Sequence, residues 1–273
     1  MARHSASAPV RTPQQIEAIA RTGRFVADTL SHLRRIIDVG WNLLEIDAET
    51  HRLIREAGAE SCYIDYHPRF GAYPFGKVIC TSVNDSVLHG RPYDYVLRDG
   101  DLLSLDFAVS LDGWVADSCL TIPVGTPSDS DLTLIRDTET VLWAGIDAVR
   151  PHGTVEDIGY AVHRAATDLG YRVNAQFGGH GVGQTMHEEP FVPNRGRPGH
   201  GVVLPVGSVI TVEPFLMRGT DQLVTDADGW TLRSKNGARG AHAEHTVVVT
   251  EEGARLLTER TDDPSPRSTL TPM

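Results

Sequence analysis

With 273 residues, 40% of them apolar and 22% charged, the chain has the composition of a globular protein with a sizeable core, and no apolar run approaches the ~18 residues that a membrane span needs. A formal net charge of -11 opposes direct binding to a nucleic-acid backbone, and no run of Lys or Arg overrides it locally. Three cysteines, Cys62, Cys80 and Cys119, are odd in number and not closely paired, which argues against a disulfide framework and for reduced thiols.

The first ten residues, MARHSASAPV, have no apolar stretch that could serve as a secretory signal, so a cytoplasmic protein with a flexible arm over 1–10 is expected. Arg3, His4 and Arg11 are scattered basic groups that offer at most a transient contact with a ribosomal surface. Thr12 before Pro13 reads as an N-cap with proline in the first helical position, and Ile16, Ile19, Val26, Leu30, Leu33 and Ile37 follow at spacings of three and four or their sums. A long amphipathic helix is predicted there. A second helix is expected from about Leu43 to Ala57, with Ile46, Leu53 and Ile54 on its apolar side and Gly58 just past its end.

Segments rich in Val, Ile, Leu and Thr predict strands at Val78 to Val83, Leu102 to Val109, Trp114 to Ile122, Val209 to Glu213 and Ala243 to Thr250. Further helices are expected from Asp131 and Thr154, which makes the class α+β. The stretch Pro151 to Ile158 can be laid over Val39 to Ile46 at one constant offset, but little beyond the acidic-Ile pair coincides, so it is weak evidence for two related halves. One catalytic domain over 11–259 is expected, and the Pro-, Ser- and Thr-rich end, 260–273, reads as a disordered tail.

The chemistry concentrates on a few acids and histidines. A predicted hairpin with a four-residue loop, Ser110 to Gly113, would set Asp106 directly opposite Asp117, and two carboxylates across a strand pair need a cation or a shared proton between them. Downstream, Gly178-Gly179-His180-Gly181-Val182-Gly183 clears room around one imidazole. The stretch Gly181 to Met186 lacks the third glycine of a dinucleotide fingerprint, and Phe191 stands where a zincin motif starting at His187 would need its second histidine. Glu213 and Glu244 lie in apolar strands, where charges are seldom buried unless paired or metal-bound.

These residues fall in ordered motifs: Val83-Asn84-Asp85 leading to His89-Gly90, Leu105-Asp106-Phe107, Ala116-Asp117-Ser118, Gly179-His180-Gly181-Val182-Gly183, His187-Glu188-Glu189-Pro190, Thr211-Val212-Glu213-Pro214, Asp228-Gly229-Trp230 and Glu244-His245-Thr246. In these the chain resembles the type I methionine aminopeptidases, from Arg11 through Thr258. The resemblance implies a "pita-bread" fold, two similar halves of helices around a curved antiparallel sheet. It implies that Asp106, Asp117, His180, Glu213 and Glu244 hold two divalent ions of Co, Mn, Fe(II) or Zn, with Asp117 and Glu244 bridging both.

The implied activity is removal of the initiator methionine from nascent polypeptide N-termini when the second residue is small, by a monomer with no membrane or nucleic-acid partner. Glu213 would shuttle a proton, His187 would contact the substrate carbonyl and His89 the scissile nitrogen, while Cys80 and Trp230 would line the methionine pocket. Three departures stand out: Met186 replaces the family's Phe, His242-Ala243 replaces Gln-Tyr or Gln-Phe, and the segment between Cys62 and Cys80 is longer. The pocket tyrosine is therefore left open among Tyr63, Tyr66 and Tyr73. The competing readings are a Xaa-Pro aminopeptidase and a non-catalytic binding homologue.

Overall fold

Among the described residues, three of the four helices start at a cap whose own amide donates to the side chain three residues on, and in the first two the cap side chain also accepts from an otherwise orphaned first-turn amide. Thr12 Oγ1 accepts from Gln15 N at 3.3 Å while Gln15 Oε1 accepts from Thr12 N at 2.9 Å. Asn42 and Glu45 repeat the arrangement, and Asp157 Oδ2 takes the Thr154 amide at 2.7 Å. Asn42 and Thr154 are related by the same offset that relates Val39–Ile46 to Pro151–Ile158, so that faint repeat falls on two equivalent helix starts.

A computed structural model describes residues 7–68 and 73–261. Helices α1 (Pro13–Ile36) and α2 (Leu43–Ala57) are followed by strands β1 (Glu60–Ser61), β2 (Cys80–Val83), β3 (Ser86–Leu88), β4 (Leu102–Leu111) and β5 (Trp114–Pro123). Helices α3 (Asp129–Asp147) and α4 (Val155–Asp168) lead to β6 (Gly178–Gly181), β7 (Glu188–Pro193), β8 (Val209–Val212), β9 (Phe215–Met217) and β10 (Leu223–Thr225). The chain continues through β11 (Leu232–Ser234), β12 (Gly240–His242), β13 (Glu244–Thr250) and β14 (Gly253–Leu256).

The large sheet is antiparallel in the order β1-β4-β5-β13-β8-β6-β7, with β2 added to β4 and β14 to β13. One core forms where α1 and α2 cover the half containing β4 and β5, burying Leu30, Leu33, Leu105 and Phe107. A second forms under α3 and α4, with Leu134, Val141, Val162, Ile210 and Val247. Strand β13 joins the halves, since Glu244 and His245 pair with β5 and His245 to Val248 pair with β8. Among the described residues no helix is long and apolar enough to cross a membrane.

The structure corrects several expectations. The β4–β5 turn has only two residues, Asp112 and Gly113, at φ 53° and 77°, because both accept the left-handed conformation that a tight hairpin turn demands. Asp106 therefore pairs with Cys119, and Asp117 with Ala108. The two acids are diagonal neighbours and not directly opposed, although the two-residue shift keeps them on one face. Residues 7–10, expected in the flexible arm, lie against the second half: Ser7 bridges Val203 and Ala8 is buried. Arg260, expected in the tail, is 4% exposed and donates to Ser118 Oγ at 2.8 Å. The rest of both predicted termini, 1–6 and 262–273, lies outside the described residues.

Helix α1 approaches the C-terminal segment at Gly23, where an added β-carbon would lie 2.0 Å from Leu257 O. Alanine favours a helix interior over glycine by about 1 kcal/mol, yet the backbone carbonyl here cannot yield without moving β14's continuation. Gly23→Ala is expected to lower stability by about 1–3 kcal/mol, the ordinary cost of overpacking. Urea unfolding checks this, and a stabilised variant would show that the helix and the C-terminal segment separate easily.

Candidate metal centre and substrate cavity

Four strands at the centre of the large sheet, or the residue just after one, each bring an acid to the same place. Asp106 comes from β4, Asp117 from β5 and Glu244 from β13 itself, while Glu213 follows β8 and His180 sits in β6. His180 Nε2 lies 3.6 Å from Glu213 Oε2 and 3.9 Å from Asp117 Oδ2. Ligand atoms of Asp117, His180 and Glu244 all fall within 4.8 Å of one another, and all three residues are buried.

The imidazole is oriented for an electrophile. Its Nδ1 is 3.0 Å from Gly181 O, and a carbonyl cannot donate, so Nδ1 carries the proton and Nε2 turns its lone pair to the acids. Thr211 Oγ1 links two members of the cluster, accepting from His180 N at 3.0 Å and donating to Glu213 Oε2 at 2.8 Å. Thr246 Oγ1 does the same for the backbone of Asp117, donating to its O at 2.7 Å and accepting from its N at 3.1 Å. The Tyr63 hydroxyl donates to Asp106 Oδ1 at 2.7 Å.

Electrostatics leave this cluster unsatisfied by protein alone. Burial pushes Asp106 up to about 6 and Glu213 up to about 7. Burial, and then the neighbouring carboxylates, raise Asp117 and Glu244 well above the usual range. Burial, with His187 beside it, pulls His180 down to about 3, so the one imidazole of the cluster is neutral and cannot balance the acids. Asp117 Oδ1 and Glu244 Oε1 are buried with no hydrogen-bond partner. Orphaned buried oxygens, four acids and one correctly turned imidazole fit divalent metal ions, which would let the carboxylates ionise together.

The acids form one wall of a cavity of about 520 Å³. Its apolar end is built from Tyr66, Phe75, Cys80, Met186 and Trp230, with the Phe75 and Trp230 rings edge to face at 5.1 Å. Both Tyr63 and Tyr66 line the cavity, whereas Tyr73 is 39% exposed and turns its hydroxyl to Asp228 O. His187 stands between the two ends, 5.2 Å from the Tyr66 ring and 4.3 Å from that of His180, and burial lowers it to about 4. His89 faces them at φ 52°, a conformation uncommon outside glycine, with its ring edge-on to Phe177 at 5.5 Å.

All nine residues singled out from the sequence, from Cys80 to Glu244, border this one cavity. Phe75, Phe177, Thr211 and Thr246 were not singled out. The two threonines interrupt apolar strands two residues from an acid, Thr211 before Glu213 and Thr246 after Glu244, which is a usable signal, whereas Phe75 and Phe177 sit in loops without periodicity. His242, noted only as a departure from the family pattern, also borders the cavity, and its buried Nε2 has no hydrogen-bond partner.

A curved antiparallel sheet with a pair of helices covering each half, holding a buried acid–imidazole cluster beside an apolar pocket, defines a metal-dependent hydrolase of the pita-bread fold. The chain belongs to metallopeptidase family M24, whose sequence profile matches residues 17–251. It is 40% identical over 257 residues to "Methionine aminopeptidase 1" of Mycobacterium tuberculosis, covering 92% of this chain and 94% of that protein. The crystal structure of methionine aminopeptidase from Rickettsia prowazekii superposes with a TM-score of 0.88 at 31% identity, over 92% of this chain and all of the other. The prolidase from Pyrococcus furiosus, with a TM-score of 0.74 and 22% identity over 65% of its length, shares the fold.

The shifts set the sign of a pH dependence. Unfolded carboxylates titrate near 4, so the stability that the raised acids contribute is complete below that value. It is lost as pH rises through about 6 for Asp106 and about 7 for Glu213, and further for Asp117 and Glu244. His89 and His187, lowered to about 4, and His180 and His242, lowered to about 3, act in the opposite sense, but only below the unfolded histidine value near 6.5. From about pH 6.5 to 8.5 the acids govern, and the chelator-treated protein should lose thermal stability while added Mn(II) restores it increasingly. Thermal melts at the two ends of that range, with and without Mn(II), check this; a metal-free Tm that rises with pH would count against it.

Proposed function

We propose that this chain is a cytoplasmic, monomeric aminopeptidase that removes N-terminal methionine from nascent polypeptides whose second residue is small. The observation that carries the reading is the meeting, in one cavity, of the acid–imidazole cluster with a pocket of aromatic, thiol and thioether side chains suited to one unbranched apolar side chain. Its relatives' shared name supports the same reading.

Asp106, Asp117, His180, Glu213 and Glu244 would hold two divalent ions; Mn, Fe(II), Co and Zn all suit this donor set. When bound, such ions lower the pKa of water and stabilise negative charge developing on the attacked carbonyl. The chain's own groups do the rest. Methionine enters between Trp230, Phe75 and Tyr66 and ends against Cys80 and Met186. Glu213 carries a proton from the attacking water to the departing amine. His187, its ring desolvated by the cavity walls and so neutral, donates to the carbonyl oxygen as it becomes charged, and His89 contacts the scissile nitrogen. Phe177, His89 and His242 crowd the place of the second residue, which favours Gly, Ala or Ser there.

Discrimination at methionine rests on apolar fit, where one methylene is worth only about 1–3 kcal/mol, so it is weaker than the steric limit at the second residue. With Mn(II) or Co(II), Met-Ala-Ser should be cleaved far faster than Met-Leu-Ser or a Xaa-Pro peptide, and chelation should abolish the activity. Preference for the Xaa-Pro peptide would replace this reading with that of a proline-specific enzyme; no cleavage of any of them by the metal-loaded protein would favour a binding homologue.

His187→Ala should keep its metal and its fold and lose roughly 10²–10³ in kcat, the range for removing one preorganised donor to a developing oxyanion. Steady-state kinetics separate this from a binding role, in which KM would rise at constant kcat.

A further inference from the structure

The segment before α1 is tied to the wall of the substrate cavity. Its backbone is anchored by Ala8 N donating to Val203 O and Arg11 N donating to Gly207 O, each at 2.9 Å. From that anchored backbone the Arg11 guanidinium, 16% exposed, reaches an ion pair with Glu188. It packs against the Trp114 ring at 5.9 Å, and its Nη2 lies 3.4 Å from Val182 O.

Glu188 organises the turn that follows Val182. One carboxylate oxygen receives Arg11, and the other accepts from Gln184 N at 2.9 Å and Thr185 N at 3.2 Å. Between those bonded amides and Glu188 the turn carries Met186 and His187, both of which border the cavity. Gly183 makes the arrangement sterically possible, since a β-carbon there would fall 2.5 Å from Glu188 Oε1 and closer still to Arg11 Nη2. Gly183 O also accepts from Val115 N at 2.8 Å, which ties the turn to β5 and hence to the strand that carries Asp117.

We propose that Arg11 is a positioning residue which acts through Glu188 to hold the 183–188 turn, so that His187 and Met186 keep their places against the substrate. A carboxylate that bonds two amides and one guanidinium has its lone pairs directed by all three. Removing the guanidinium frees the carboxylate to rotate toward water, and the two amides then lose a fixed acceptor. A displacement of about 1 Å at a group that contacts the reacting carbonyl can cost on the order of a hundredfold in rate. The consequence for activity rests on the aminopeptidase reading above; the consequence for the turn itself does not.

The test uses the full chain loaded with Mn(II). Arg11→Met should lower kcat for Met-Ala-Ser by about tenfold to a hundredfold with KM little changed and Mn(II) affinity retained. Hydrogen exchange at Gln184 and Thr185 should quicken by about tenfold or more in the same variant, because their acceptor is no longer held. Arg11→Lys should restore most of both, and Arg11→Met/Glu188→Gln should be no worse than the worse single change, since both act on one link. Should Arg11→Met fail to fold, Glu188→Gln breaks the same ion pair from the other side and is read by the same two measurements. A lowered Tm with unchanged kcat and unchanged amide exchange would overturn the proposal, as would lost activity with amides still protected. If the wild-type protein cleaves no methionyl peptide, the functional reading fails, and the amide exchange alone still decides whether Arg11 holds the turn.

Discussion

Four carboxylates and one imidazole meet where the two halves of the sheet join, and burial drives every one of those acids toward its protonated form. Unpaired, such a cluster opposes folding, because each ionised oxygen loses water without gaining a cation. Asp117 and Glu244 even keep an oxygen without a hydrogen-bond partner. A protein maintains this arrangement only where something else balances the charge, and the donor chemistry suits divalent metal. In that sense the site and the fold share one constraint: the strands must converge closely enough to crowd like charges, and the surroundings must hold them there.

The holding is done from behind. Thr211 fixes His180 to Glu213, Thr246 fixes the backbone of Asp117, and Ser118 Oγ donates to Glu244 O at 2.6 Å while accepting from Arg260. The His180–Thr211, Asp117–Thr246 and Ser118–Glu244 links join strands that are neighbours in the sheet but distant along the chain. Displacing one acid therefore disturbs a neighbour's support, and outer-sphere partners of this kind ordinarily matter to metal affinity by about 10- to 100-fold. The two helical layers press the strands together from the outside, and β13, paired to both halves, carries the convergence.

The apolar end of the cavity follows different physics. Tyr66, Phe75 and Trp230 meet as tilted or edge-to-face rings, which packs them firmly while leaving a slot beside Cys80. Met186 borders that slot with an unbranched, adaptable side chain, where an aromatic ring would be stiffer. The turn carrying Met186 and His187 is fastened at Glu188 and Gly183, so the adaptable side chain is mounted on a constrained backbone. Histidine at 242 adds a buried imidazole to the lining, its ring edge-on to Phe215 at 6.3 Å.

Much of this was legible in the amino-acid sequence because it depends on neighbours along the chain. The repeats of three and four and the Thr12 cap specified helices, and the apolar runs placed the five principal strands to within a few residues. Asp106, Asp117, Glu213 and Glu244 stood out because acids in such runs demand a partner, and their motifs pointed to the family. What the sequence left open depends on residues brought together across the chain. The β4–β5 register turned on whether Asp112 and Gly113 alone could make the turn. The choice of Tyr63 and Tyr66 over Tyr73, the arrival of Phe75 and Phe177 at the cavity, and the burial of Arg260 were set by loop paths that carry no periodic signal. The pairing of Arg11 with Glu188 joins residues 177 positions apart, so only the closing of one half of the fold onto the other could bring those charges within reach.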